Sequence, residues 1–109
     1  VTDPRITTLA DLEAANGRIR GHVHRTHQAD SRFLGERANA RVSLKLELFQ
    51  KTGSFKARGV INTLQQLGDE ERRRGVISMS AGNHAQGAAY HSNRMGIQAV
   101  IVMPRFTPA

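Results

Sequence analysis

The run Ala99-Val100-Ile101-Val102-Met103 constrains this chain more than any other stretch. Uninterrupted apolar residues over such a length suit a strand covered on both faces of a parallel sheet, and Pro104 ends it because proline cannot donate to a ladder. Upstream, the spacing predicts a helix from about His84 to Arg94, with Ala85, Ala88, Ala89 and Met95 as a small packing face and Gly96 as its stop. Before that helix, Val76-Ile77-Ser78-Met79-Ser80 reads as a second strand that ends in the tight turn Ala81-Gly82-Asn83. Strand, helix and strand in this order predict a βαβ unit with a right-handed crossover, and hence an α/β fold.

The first half of the chain reads less clearly. Leu9, Leu12, Ile19 and Val23 share one helical face, and Thr8 followed by Asp11 resembles a capping signal, so a helix is predicted over 8–23. Val42, Leu44, Leu46 and Leu48 alternate with Ser43, Lys45 and Glu47, the pattern of a half-buried strand, until Thr52-Gly53 breaks it. Ser54 is a good N-cap, and Ala57, Val60, Ile61, Leu64 and Leu67 follow at helical spacing until Gly68. The charged stretch from Gly68 to Gly75 is the best candidate for a boundary between two structural pieces, 1–67 and 72–109. No internal repeat or low-complexity tract interrupts the chain.

Composition narrows the function classes. With 109 residues and 39% hydrophobic content, the chain can fill one modest core but not a two-domain enzyme. It has no cysteine, which removes disulfides and thiolate metal sites and points to a reducing compartment, the cytoplasm. The opening Val1-Thr2-Asp3-Pro4-Arg5 has no apolar leader, and no apolar run approaches the ~18 residues of a membrane span.

The net charge is +7, yet the basic residues are scattered, and Arg72-Arg73-Arg74 follows Asp69-Glu70-Glu71, which partly neutralises it. One Tyr and four Phe, without arginine interleaving, do not make a stacking platform for nucleic acid. His22 and His24 point roughly 160° apart on a helix, and no cysteine or carboxylate pair completes a metal shell with them or with His27. They read as helix-end residues, and no partner for His91 is legible.

Two segments carry chemistry. Lys56, in Ser54-Phe55-Lys56, falls in the first turn of a helix, where unpaired N–H groups and the dipole disfavour a second positive charge. That placement favours a neutral, nucleophilic amine if the site is also dry. The second is Ser80-Ala81-Gly82-Asn83-His84-Ala85-Gln86-Gly87. Here a strand turns into a helix whose free N–H groups suit a phosphate or carboxylate, Gly82 permits close approach, and Asn83 adds a directional amide.

Lys45-Leu46-Glu47, then Gln50-Lys51-Thr52-Gly53-Ser54-Phe55-Lys56-Ala57-Arg58-Gly59, then Ser80 to Gly87, together resemble the fold-type-II pyridoxal-phosphate enzymes (tryptophan synthase beta-like). Within them they resemble the threonine/serine dehydratases, or ammonia-lyases. The opening helix and Val100-Ile101-Val102-Met103-Pro104 are similar too. The sequence has Thr26-His27 where the family usually has Thr-Pro. It also shows no counterpart, before Ala109, of the glycine-rich loop that cups the cofactor phosphate or of the later polar residue that meets the pyridine nitrogen. The chain is therefore read as the N-terminal portion of such an enzyme, inactive alone, with 1–67 in the large domain and 72–109 starting the small one.

The resemblance implies pyridoxal 5'-phosphate as cofactor, held by Lys56 as a Schiff base, with Phe55 packed beside it and Asn83 bonding its ring oxygen. The freed Lys56 would take the α-proton. Ser80, Asn83 and His84 would receive the carboxylate of an amino-acid substrate. Loss of the β-hydroxyl would leave an enamine that hydrolyses to a 2-oxo acid and ammonia: 2-oxobutanoate from threonine, pyruvate from serine. A threonine dehydratase implies amino-acid metabolism, isoleucine biosynthesis included, and a homo-oligomer at full length. Ala81 stands where similar serine racemases carry a serine base, which disfavours racemisation. The alternatives are another enzyme of this fold (serine racemase, hydroxyaspartate dehydratase or threonine synthase-like), or a non-catalytic basic module binding polyanions in a salt-sensitive way.

Overall fold

In the computed structural model, residues 6–108 are described; residues 1–5, where the sequence shows no apolar leader, and Ala109 lie outside the described residues. The βαβ unit is β3 (Val76–Met79), α5 (Asn83–Arg94) and β4 (Ala99–Val102). Its strands pair in parallel from Val76↔Ala99 to Met79↔Val102. Gln98 and Val102 carbonyls extend the ladder, accepting from Val76 N at 2.9 Å and Ser80 N at 3.0 Å.

Helix α3 (Lys56–Leu64) buries Ala57, Val60, Ile61 and Leu64, as its spacing predicts. Val60 and Leu64 meet Ala88 and Ile97 in the core, with Leu67, Val76, Met95 and Ile101 packed around them. Gly87 lets α3 and α5 approach closely, because a Cβ there would stand 3.4 Å from Val60 Cγ2 and 3.5 Å from the Ala57 nitrogen. Both helices cover the same face of β3 and β4, the face of Val76 and Ile101.

Among the described residues the opposite face is uncovered, and this portion of the chain supplies no second layer over it. Ile77 and Met79 are 78% and 84% exposed, and Val100 and Val102 are about half exposed. The described residues supply a helical layer to one face only, so an apolar sequence alternates in burial. The radius of gyration, 16.9 Å, exceeds the about 13 Å of an independent compact domain of this length.

The stretch from Gly68 to Gly75 holds a short helix, α4 (Asp69–Arg74), with its acids in the first turn and its arginines in the last. That order complements the helix dipole. Gly68 N donates to Glu71 Oε2 at 2.8 Å.

Toward the N-terminus, α1 (Leu9–Ile19) starts with the expected capping box: Asp11 N donates to Thr8 Oγ1 at 3.2 Å and Thr8 N to Asp11 Oδ2 at 2.8 Å. The Thr8 hydrogen bonds hold the Asp11 carboxyl below its ordinary value. The predicted 8–23 is too long, because Arg20 leaves helical geometry and Gly21 takes a φ of 82°. Val23, His22 and His24 thus lie past the helix end, and His22 Nε2 meets Gln65 Nε2 at 3.0 Å.

The strand expected from Val42 to Leu48 is also corrected. Only β2 (Ser43–Lys45) pairs, antiparallel to β1 (Gln28–Asp30), and Glu47–Phe49 and Lys51–Gly53 are 3-10 turns. Leu48 and Phe49 face outward, 63% and 65% exposed, while Glu47 turns inward to Arg58. An internal ion pair has overridden the alternating pattern. Neither β1 nor the intervening α2 (Arg32–Ala38) was expected: β1 has only Ala29 as an apolar residue, whereas α2 does carry local signals in Ser31, whose hydroxyl accepts from Leu34 N, and in left-handed Asn39 at its end. No helix among the described residues is long and apolar enough to cross a membrane.

Candidate active site

Lys56 is the first residue of α3, as its sequence position predicts. Ser54 is not the N-cap residue, which is Phe55, but its hydroxyl accepts from Lys56 N at 3.4 Å. The Lys56 ammonium sits 5.2 Å from the centre of the Phe55 ring. Both side chains open onto a cavity of about 440 Å3 between α3, β3 and α5, which His84, Ser78 and Ser92 also line. That volume lies within the roughly 300–1,000 Å3 of small-molecule sites.

Sequence reasoning missed Ser78 and Ser92. Their hydroxyls are buried and have no hydrogen-bond partner among the described residues, an unusual state for polar groups in a folded interior. Ser92 was legible in principle, because His84, Ala88 and Ser92 recur every four residues along α5 and so share one face. Ser78 was hidden by reading its strand as mere core.

The other predicted residues gather at the entrance to α5. Asn83 is its first residue, exposed, and Gly82 before it offers no side-chain cap. The first intrahelical bond there runs from Gln86 N to Gly82 O at 3.3 Å, so the N–H groups of Asn83, His84 and Ala85 point out of the helix start. Ser80 Oγ accepts from Gly82 N at 3.3 Å, closing the turn. Asn83 and Ser80 stand outside the lining of the Lys56 cavity, whereas His84 belongs to both groups. The cavity thus brings the Lys56 amine and His84, the second residue of the donor-rich start of α5, to one lining, and such groups can hold a carbonyl compound bearing an anionic group.

A polar network behind α3 was not legible at all. Glu47 accepts from Arg58 Nε at 2.9 Å and Nη2 at 2.8 Å, and from Thr26 Oγ1 at 2.6 Å. The Arg58 hydrogen bond, against the opposing effect of burial, brings the Glu47 carboxyl down to about 2. Lys51 reaches Tyr90 Oη at 3.3 Å and ties the loop before Lys56 to α5. His91, whose partners the sequence did not reveal, is 2% exposed and meets Tyr90 edge-on at 5.0 Å. Burial, with the charges of His22, Lys51 and Arg94 adding to it, holds its imidazole below the ordinary value.

The family model for pyridoxal-phosphate dependent enzymes matches residues 19–109. Over 101 residues the chain is 50% identical to L-threonine ammonia-lyase of Thermotoga maritima, a match covering 93% of this chain and 25% of that protein. It is 41% identical over 104 residues to L-threo-3-hydroxyaspartate ammonia-lyase of Saccharomyces cerevisiae, covering 95% and 32%. Maize serine racemase matches 90% of this chain and 30% of its own, with a TM-score of 0.82 and 40% identity. The chain thus spans about a quarter to a third of the length of these relatives, and its partial α/β unit with a small parallel sheet is that of the fold-type-II enzymes. The match to that family model takes in most of the chain, residues 19–109, and on that ground the chain belongs to the pyridoxal-phosphate-dependent enzymes.

Proposed function

We propose that this chain is the N-terminal portion of a threonine/serine ammonia-lyase that converts a hydroxy amino acid to a 2-oxo acid and ammonia. The observation that carries the reading is that Lys56 and Phe55 line one cavity together with His84, from the start of α5. The cavity lining is largely apolar, with Val60, Leu64, Val76, Ile77 and Ala88, and suits the flat face of a heteroaromatic ring. Pyridoxal phosphate, when bound, supplies the aldehyde and the electron sink that stabilises negative charge at the α-carbon.

The chain's own residues have distinct tasks in this reading. Lys56 Nζ holds the cofactor and, once displaced by the substrate amine, takes the α-proton. Phe55 would pack beside the ring, and Asn83, outside the cavity lining, would reach the ring oxygen from the start of α5. Ser80, Asn83 and His84 receive the substrate carboxylate, where the outward N–H groups of α5 favour an anion. Ala81, at the exposed tip of the turn, has no group that can hold a proton, which supports elimination over racemisation.

In the full-length protein, 1–67 would belong to the large domain and 72–109 would begin the small one, with the cofactor between them. The reading takes that protein to be a cytoplasmic homo-oligomer acting on a small amino acid, in amino-acid metabolism that includes isoleucine biosynthesis. The cysteine-free composition and the dispersed basic residues are in keeping with a cytoplasmic enzyme that binds neither nucleic acid nor membrane.

The test uses the complete open reading frame expressed with pyridoxal phosphate. The visible absorbance of a lysine-bound cofactor is expected in the wild type and lost in Lys56→Ala, and borohydride reduction should fix the cofactor's mass on the peptide containing Lys56. Formation of 2-oxo acid from threonine, serine and hydroxyaspartate then ranks the substrates. An unchanged band in Lys56→Ala would remove the assignment.

A further inference from the structure

The first turn of α3 is closed by one backbone bond, from Arg58 N to Phe55 O at 3.0 Å, and has no side-chain cap. Phe55, the residue before it, has helical dihedrals and no side-chain cap, and the Ser54 hydroxyl reaches Lys56 N only at 3.4 Å. The approach is strained as well. Thr52 (φ 60°) and Gly53 (φ 67°) are consecutive left-handed residues, and a β-branched side chain is disfavoured there. A helix start without a side-chain cap gains definition from contacts outside the helix.

Arg58, two residues beyond Lys56, provides that hold. Its guanidinium grips both Glu47 oxygens, at 2.9 and 2.8 Å, and its Nη2 donates to the His24 carbonyl at 3.1 Å. Glu47 is steadied from behind by the Thr26 hydroxyl at 2.6 Å, and Lys45 donates to the Thr26 carbonyl. On the other side of the strained turn, Gln50, 4% exposed, bonds the same His24 backbone. Its Nε2 donates to His24 O at 2.8 Å and its Oε1 accepts from His24 N at 2.9 Å. Residues 50–58 therefore hang at both ends from His24–Thr26, with Lys56 between the anchors.

The pair differs from the surface pairs of this chain. The Arg58 and Glu47 side chains are 28% and 16% exposed, against 92% and 63% for Arg32 and Glu36. Partial burial and a two-pronged fork raise both its strength and its directional precision. Neither residue lines the Lys56 cavity, so any effect on Lys56 travels through the backbone of the first turn.

We propose that Arg58 and Glu47 are positioning residues for Lys56: their two-pronged pair fixes the first turn of α3, and with it the place from which the Lys56 amine meets its carbonyl partner. The inference rests on the reading of Lys56 as the cofactor-bearing lysine. A misplacement of about 1 Å at a reacting group costs on the order of a hundredfold in rate.

The experiment compares the full-length wild type with Arg58→Met, Arg58→Lys, Glu47→Gln and the Arg58→Met/Glu47→Gln double variant. Arg32→Met serves as a control that breaks an exposed pair. Without cofactor, amide exchange across residues 56–60 should quicken about tenfold or more in Arg58→Met and stay at the wild-type rate in Arg32→Met. With pyridoxal phosphate, visible dichroism per bound cofactor should fall several-fold. For threonine, kcat should drop about 10- to 100-fold with KM moving less than about threefold.

Arg58→Lys should recover part of each signal, and the double variant should lose no more than the worse single one, because the two residues act as a unit. A merely structural pair predicts a lower melting temperature with unaltered dichroism and kcat in the folded protein, and that result overturns the proposal. If Arg58→Met does not fold, Glu47→Gln, which keeps the shape and an acceptor, decides on the same readouts. A visible band that survives Lys56→Ala removes the lysine reading and this inference together, whereas a band lost in Lys56→Ala with a wild-type-like Arg58→Met removes the positioning role alone.

Discussion

Gly75→Ala is expected to be the most damaging single-methyl change in the βαβ unit. Gly75, which closes α4 immediately before β3, has φ 81° and ψ −172°, a region open essentially to glycine alone, where another residue costs about 1–3 kcal/mol. A Cβ there would also stand 2.6 Å from the Gln98 carbonyl oxygen. That oxygen accepts from Val76 N at 2.9 Å, so relieving the clash breaks the first bond of the parallel ladder, a further loss of about 1 kcal/mol. Together the two effects come to about 3 kcal/mol, a change of more than a hundredfold in the unfolding equilibrium. Strand β3 delivers the Ser80–His84 turn, so the site should loosen with the strand. The assay is denaturant unfolding of the full-length protein followed by far-ultraviolet dichroism, with Gly96→Ala as the control. Gly96 also has a positive φ, 66°, but nothing lies within 4 Å of its would-be Cβ, and it should lose only about 1 kcal/mol. Equal losses for the two variants, or a loss below about 1 kcal/mol for Gly75→Ala, would refute the steric argument.

Acid should weaken the Glu47–Arg58 pair in a defined window. The Glu47 carboxyl falls from an ordinary 4.5 to about 2 in the folded chain, chiefly through the Arg58 hydrogen bond. The folded state therefore binds fewer protons than the unfolded one between those values, and the contribution is complete above about pH 4.5 and lost as pH falls toward 2. Its ceiling is about 3 kcal/mol, reduced to about 2 by residual solvent contact. The stability difference between wild type and Glu47→Gln, measured from pH 6 down to the lowest pH at which both fold, should shrink accordingly; a pH-independent difference counts against the pair. Leu64→Ala, at a residue 4% exposed in the core between α3 and α5, should cost about 3 kcal/mol in denaturant unfolding. A loss under about 1 kcal/mol would mean that the two helices are not packed on one another there.

Much of the site was legible because its signals are local. The Thr8–Asp11 box, the Ala57-Val60-Ile61-Leu64 face and the strand–turn–helix around Gly82 each depend on residues within a few positions of one another, so spacing alone finds them. Where the reading failed, a distant partner had intervened. The alternating Val42–Leu48 run looked like a strand until Glu47 found Arg58.

The amino-acid sequence by itself determined the order β3, α5, β4, the place of Lys56 at a helix start and the donor-rich turn at Asn83, since each follows from local periodicity and capping. Only the tertiary structure decided that Lys56, Phe55 and His84 share one cavity with two unpartnered serines, and that Arg58 anchors the lysine's helix to His24–Thr26. These are contacts between residues tens of positions apart. Their geometry is set by packing and by the cost of leaving buried polar groups unpaired, not by any pattern along the chain.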